Sequence, residues 1–268
     1  MLPRSPRAFG IYPLSPDSAG VSDLLTEEEQ KIRDAALAFA RLHKRERCRQ
    51  LTDTSIYLPE ENPVSVFMAG SAGAGKTETA KAMIAELESH PDFQDGSRVL
   101  RIDPDDLRCE FPGYTGKNSY LFQAATSVWV EKMHDLALEQ RQSFILDGTL
   151  SNYAKAKLNV ERSLKKGRQV VIIYVYQSPY LAWEFVQARE AEEGRRIPAE
   201  VFIEQYFAAR DVVNRLKREF GPNIRVDLLL KPNDQAGKLA QIGVDQIDTH
   251  VPERFTRAEL EAALRVQN

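Results

Sequence analysis

The chain has 268 residues, 43% hydrophobic and 28% charged, with a net charge of −3. That length accommodates one large or two small domains around a buried core, and so balanced a charge supplies no global field for a polynucleotide. No apolar run reaches the ~20 residues of a membrane span, Arg4 and Arg7 are followed by no continuous apolar segment of a secretory signal, and Cys48 and Cys109 stand alone, against a disulfide framework or a cysteine metal site.

Residues 1–20 carry Pro3, Pro6, Pro13 and Pro16 and read as an irregular arm. A helix begins after Thr26, which forms a capping box with Glu29. Its apolar stripe is Ile32, Ala36, Phe39 and Ala40, and Lys44, Arg45 and Arg47 complement its C-terminal end. That basic cluster reads as a solvated helix end. Tyr57 to Pro63 reads as a linker. The histidines His43, His90, His134 and His250 share no metal-ligand spacing.

From Pro63 the pattern alternates between strand and helix. Val64 to Ala69 is a short run of strand formers, and Gly70-Ser71-Ala72-Gly73-Ala74-Gly75-Lys76-Thr77 follows, a full match to the phosphate loop G-x-x-x-x-G-K-[ST]. Glycines let backbone N–H groups turn inward around phosphate oxygens, and the next helix, 76–89, aims its N-terminus at the anion. Lys76 is expected on the β- and γ-phosphates and the Thr77 hydroxyl on Mg²⁺. Further strands are predicted at 98–103, 143–146, 169–176 and 224–230. Helices are predicted at about 119–138, 153–166, 179–193 and 198–220, and weaker helical signals at 236–268 suggest two helices separated near Pro252. This alternation predicts an α/β fold, a parallel sheet of about five strands with helices on both faces, plus an N-terminal helical extension. The implied organisation is an N-terminal arm and amphipathic helix over 1–62, a core over 63–235 with a lid around 180–200, and a helical tail over 236–268.

Ligands of such sheets sit beyond the carboxyl ends of the strands. There strand two ends in Asp103-Pro104-Asp105-Asp106 and strand three in Asp147-Gly148-Thr149. If the extended geometry persists through Pro104, Asp103 and Asp105 lie on one side, one holding position while the other reaches substrate. A phosphoryl transferase needs a phosphate cradle, a metal, a base and cations for the transition state. Asp147 fits the carboxylate orienting the Mg²⁺ shell, Asp105 the general base, and Arg189, Arg195 and Arg196 the cations. The plainer readings stay open beside these: an aspartate of 103–106 as a helix N-cap, Asp147 as a turn residue, the arginines as solvated charges.

Taken together, G-S-A-G-A-G-K-T (70–77), R-I-D-P-D-D-L-R (101–108), L-D-G-T (146–149), A-R-E (188–190) and G-R-R-I-P (194–198) make the chain resemble a zeta-toxin kinase of bacterial toxin–antitoxin systems, over about Pro63 to Asp234. The resemblance implies a P-loop kinase that uses ATP or GTP with Mg²⁺ to phosphorylate the amino-sugar 3′-hydroxyl of UDP-N-acetylglucosamine in the cytoplasm. It implies Lys76 as the phosphate-loop lysine and Asp105 as the base at the sugar hydroxyl. Asp103, Thr149 and the 111–120 loop with Tyr120 are the implied contacts to the UDP-sugar. Arg189 and Arg195 are the implied lid arginines, Arg195 before Arg196 because the family arginine lies three residues before the proline. Asp147-Gly148-Thr149 replaces a Glu-Gly-Thr that is frequent in the family.

An antitoxin in trans is the partner the resemblance implies. The N-terminal helix has two readings, a segment inhibiting in cis or a helix packed on the sheet's edge. Two alternative functions remain at this stage. One is a kinase for another hydroxyl (antibiotic, nucleoside, dinucleotide or polynucleotide), and the other a nucleotide-dependent switch, against which stands the lack of an N-K-x-D element.

Overall fold

The computed structural model describes residues 25–91, 93, 97–194, 197–231, 239–252 and 254–265. The expected arm over 1–20, Arg195, Arg196 and part of the C-terminal tail lie outside these residues.

Six strands form one sheet in the order β2-β3-β1-β4-β5-β6. They are β1 (Val64–Ala69), β2 (Leu100–Ile102), β3 (Phe144–Leu146), β4 (Gln169–Tyr176), β5 (Ile224–Leu230) and β6 (Leu239–Gln241). The first five are parallel and β6 is antiparallel to β5. The helices are α1 (Glu27–Leu51), α2 (Lys76–Ser89), α3 (Pro104–Arg108), α4 (Gln123–Glu139), α5 (Tyr153–Lys165), α6 (Pro179–Glu193), α7 (Ala199–Phe220) and α8 (Arg257–Arg265).

The expected α/β architecture is present, with five parallel strands where the apolar runs stand. The helical reading of 236–268 is corrected at its start. Leu239–Gln241 pairs with Leu228–Leu230 as an edge strand, and Ile247–Thr249 is a 3₁₀ turn. Three residues carry no period, so only the free edge of β5 decides their state.

Strand alternation divides the core. On β1 and β4, Phe67, Ala69, Val170, Ile172, Tyr174 and Tyr176 face a large core built with α1, α4, α5, α6 and α7. Met68, Val171, Ile173 and Val175 face a smaller one closed by Ala80, Met83 and Ile84 of α2. Chain direction along the sheet reverses around β1, between β3 and β4. The crevice of such a sheet opens at that point, and the phosphate loop leaves β1 there.

Helix α1 belongs to the main core. Its capping box forms as expected, with Glu29 N–H donating to Thr26 Oγ1 at 3.2 Å and Thr26 N–H to Glu29 Oε2 at 2.8 Å. Ala36, Ala40 and Cys48 are buried against α4, and the Trp129 indole donates to the Ala40 carbonyl at 2.9 Å. Small residues at 36 and 40 let the two backbones approach. The stretch after α1, read as a linker, is pinned to the turn before β3. Gln142 Nε2 donates to the carbonyls of Thr52 (3.0 Å) and Tyr57 (2.7 Å), and Glu60 N–H to Arg141 O at 2.8 Å. Its prolines keep it out of helix and strand, and these hydrogen bonds replace the missing ladder. Beneath β1, β3 and β4, the buried Arg168 donates to Ser65 Oγ (2.7 Å), Val64 O (3.1 Å) and Gln142 O (2.5 Å), tying the amino ends of the strands opposite the crevice.

Candidate active site

The phosphate loop is held by two features of its sequence. Gly73 has φ +69°, and a Cβ there would stand 2.0 Å from the Ala182 carbonyl of α6, so glycine is required for both conformation and approach. Gly75, φ +79°, is the N-cap of α2 and makes no side-chain cap. A helix start without a side-chain cap is the kind that receives an anion. Lys76 Nζ crosses the loop to the Ser71 carbonyl at 2.6 Å.

The loop after β3 joins it. Gly70 N–H donates to Thr149 O at 3.2 Å, and Thr149 Oγ1 lies 3.0 Å from Ser151 Oγ. Between them Leu150 has φ +53°, a left-handed conformation for a branched side chain that the surrounding turn must enforce.

The third component is the end of β2. Here the expected extension through Pro104 fails. Proline sits at the first position of α3 and Asp103 is its N-cap, with Oδ1 accepting from Asp105 N–H at 2.8 Å. A fixed proline φ and a capping carboxylate start a helix, so Asp103 and Asp105 are not strand neighbours on one side. Asp103 is buried and also bonded to Arg101. Arg101 in turn contacts Asp106, and its Nη1 lies 3.1 Å from Asp147 Oδ2. Burial, then the neighbouring Asp147 charge, raises the Asp103 pKa to about 6, against the pull of Asp105 N–H and Arg101. Asp105 is more open to solvent and pairs with the buried Arg108, which also donates to Gln123 Oε1 of α4 at 2.6 Å.

Tyr120 lies in the 3₁₀ turn Ser119–Phe122, and its hydroxyl donates to Glu29, the capping glutamate of α1. That hydrogen bond, then those from Thr26, lowers the Glu29 pKa. The 113–118 loop also meets the end of α6, where a Cβ on Gly116 would stand 2.5 Å from the Glu193 carbonyl. Arg189 of α6 is 3.7 Å from Glu78 on the first turn of α2 and 3.8 Å from Glu193.

The structure therefore brings Lys76, Thr149 and Asp147 to one edge of the sheet, with Asp103 at the same edge and Asp105 on the helix it caps. Tyr120 is instead bonded to Glu29 at the start of α1, and Arg189 stands on α6 beside Glu78 of α2. Two residues with no assigned role join that edge. One is Arg101, whose position inside a strand hides its contacts. The other is Lys231, next after β5, whose Nζ donates to the Gly75 carbonyl at 3.0 Å. A charged residue after an apolar strand was the only sequence signal for the latter.

The donor chemistry fits Mg²⁺. Thr77 and Asp147 offer hard oxygens, and this ion keeps several waters and takes one or two protein ligands beside substrate phosphates. Among the described residues no group of three or more His, Cys, Asp or Glu forms a metal cage. The Cys48 thiol is pushed up to about 12 by burial, and His134 down to about 3 by burial and then Arg162 and Arg168, so both are inert core groups.

The model of the Zeta toxin family matches residues 48–239, well over half of the chain. The chain belongs to the zeta toxin family. No curated protein matches it. Among solved structures, a chain from the PezAT chromosomal toxin–antitoxin system of Streptococcus pneumoniae superposes with a TM-score of 0.58 at 15% identity, covering 90% of this chain and 94% of that one. A chain of the AvrRxo1-ORF1:AvrRxo1-ORF2 complex with sulphate ions gives 0.55 at 17% identity, covering 90% and 78%. The corresponding complex with ATP gives 0.53 at 16%, covering 90% and 77%. At these identities the likeness concerns the fold alone. Within it, this zeta toxin member keeps the phosphate loop, the aspartates after β2 and the Asp-Gly-Thr after β3 at one sheet edge. Among its described residues no helix is long and apolar enough to cross a membrane.

Proposed function

We propose that this zeta toxin member is a cytoplasmic phosphotransferase that uses ATP or GTP with Mg²⁺ to phosphorylate the amino-sugar 3′-hydroxyl of UDP-N-acetylglucosamine. The observation carrying the reading is the meeting of two loops. Gly70 at the mouth of the phosphate loop is bonded to Thr149, and Asp147, two residues earlier, shares Arg101 with Asp103 at the head of the Asp105 helix. A phosphate cradle and a candidate base thus belong to one connected edge.

Backbone N–H groups of 70–77 hold the β- and γ-phosphates, with Lys76 turning from the Ser71 carbonyl to them. Asp103 keeps its role as the cap that aims Asp105. Asp105 takes the proton of the attacking hydroxyl as that oxygen bonds to the γ-phosphorus, while the bond from phosphorus to the β–γ bridging oxygen breaks and the nucleoside diphosphate leaves. Arg189 and Arg195 offset charge on the transferred group. Thr149 and Tyr120 line the acceptor side. Thr77 and Asp147 are the residues to hold Mg²⁺, which, when bound, neutralises phosphate charge and orients the leaving group.

The partner this reading calls for is an antitoxin in trans. In support, the PezAT structure is described as a toxin–antitoxin system. ATP is named in one AvrRxo1 complex, in keeping with nucleotide use on this fold.

The test is mass spectrometry of UDP-N-acetylglucosamine incubated with ATP, Mg²⁺ and the full chain, with Asp105→Ala as the blank. A phosphate added to the sugar and missing from the blank is the expected result. Nucleotide binding without product moves the acceptor to another hydroxyl compound. ATP turnover that ignores every acceptor favours a switch.

A further inference from the structure

Arg101 occupies an unusual position. It lies in β2, at the edge of the sheet, between Leu100 and Ile102, which are both buried in the main core. Strand alternation turns Arg101 toward the other face, and its register partner there is Ile145, a member of the small core under α2. An apolar residue is what that position ordinarily takes. The guanidinium instead runs to the carboxyl ends of the strands. Nη1 serves both Asp103 and Asp147, which are 6% and 4% exposed, and Nη2 serves Asp106, which is well exposed.

Among the described residues these three carboxylates share Arg101 as their cation, so the group is under-neutralised there. A purely structural buried pair is matched charge for charge, because each unpaired buried charge is penalised. The guanidinium keeps a partner if Nη1 leaves Asp103 and Asp147. Asp106 lies on the solvent side, and the contact to it involves only the other nitrogen.

We infer that Arg101 is the resident counter-cation of the Asp103–Asp147 pair, and that it yields Asp147 to a divalent cation by withdrawing toward Asp106. This rests on the phosphoryl-transfer reading, in which Asp147 faces the metal. Arg101 is then a positioning residue with two tasks. In the free protein it keeps two close carboxylates from repelling each other and holds Asp103 as the cap of α3. When nucleotide and metal arrive, its withdrawal leaves Asp147 available, so that metal affinity of the nucleotide-free protein is kept low by the protein's own charge.

The test is Mn²⁺ binding to the full chain without nucleotide, followed by electron paramagnetic resonance of the free ion. Arg101→Met is expected to bind Mn²⁺ about tenfold more tightly than the unaltered protein, since the competing charge is gone. Arg101→Lys, which cannot bridge two carboxylates with a planar fork, is expected to bind about threefold more tightly. Adding Asp147→Asn to Arg101→Met is expected to return the affinity to that of the unaltered protein. A folded Arg101→Met that binds Mn²⁺ within about twofold of the unaltered protein, or more weakly, overturns the inference. If that variant does not fold, an unchanged affinity in Arg101→Lys overturns it equally. A fluorescent ATP analogue is titrated alongside. Failure of the unaltered protein to bind it counts against the phosphoryl-transfer reading and the inference together, whereas nucleotide binding with unchanged Mn²⁺ affinity counts against Arg101 alone.

Discussion

The indole of Trp129, in the middle of α4, donates its hydrogen bond to the carbonyl of Ala40 in α1 at 2.9 Å. The Cys48 thiol of α1 returns a contact to the Trp129 carbonyl at 3.7 Å. Both pairs are buried, so α1 is part of the core for the residues described. An inhibitory role in cis is left to residues 1–24. Removing 1–60 is expected to give an insoluble or unfolded chain, and removing 1–24 a folded one. Trp129→Ala is expected to destabilise the protein by about 3–5 kcal/mol, measured by urea unfolding. A soluble 61–268 fragment with the melting temperature of the full chain would contradict the packing role. A rise in kinase activity on removing 1–24 alone would support inhibition in cis.

Variants of Lys76 and Asp105 are expected to separate binding from transfer. Lys76→Ala is expected to weaken ATP binding and abolish product. Asp105→Ala is expected to leave ATP affinity within about twofold and lower transfer by about 10²–10⁴-fold. Calorimetry with ATP and the mass of the sugar product read the two effects independently. Retained transfer in Asp105→Ala removes it from the role of base.

The pKa of Asp103, raised to about 6, has a definite consequence for stability. A carboxylate whose folded pKa lies above its unfolded value near 3.9 favours the folded state while protonated, and that contribution is lost as pH rises through 6. Asp103→Asn removes the ionisation and keeps a capping side chain. The stability of the variant relative to the unaltered protein is therefore expected to improve between pH 4.5 and 7, by at most ~3 kcal/mol. Thermal unfolding across that range measures it, and a difference that is flat or declines with pH speaks against the shift.

Gly116 and Glu193 place the 111–120 loop against the end of α6. With φ +80° and a Cβ position 2.5 Å from a backbone carbonyl, Gly116→Ala has to move one of the two segments. The expected result is a raised KM for the acceptor, by about tenfold, with ATP affinity little changed. An unchanged KM for the acceptor would separate this loop from acceptor binding.

Arg195→Ala is expected to lower kcat more than it raises KM for either substrate, as a contact strengthened in the transition state requires. Steady-state kinetics in both substrates decides it, and the reverse pattern assigns Arg195 to ground-state binding.

Much of this was legible in the chain itself. The apolar runs at 64–69, 169–176 and 224–230 become strands with those bounds, because a buried parallel strand leaves an uninterrupted signal between turn residues. Gly70 to Thr77 marks the crevice, because only glycine tolerates the positive φ angles and close approach of that loop. Thr26 and Glu29 marked the start of α1 through a reciprocal cap whose partners are three residues apart. What the sequence by itself determined was therefore local: element type, the glycine-rich loop after β1, and the aspartates at the strand ends. The tertiary structure alone decided what those elements meet. It seated α1 on Trp129 and added β6 to the edge of β5. It also aimed Arg101 at Asp103, Asp106 and Asp147 and brought Lys231 to Gly75 across 156 positions of chain. Periodicity and capping act over one turn or one strand, whereas a salt bridge between strand ends depends on the order of strands in the sheet, and no neighbouring residue carries that order.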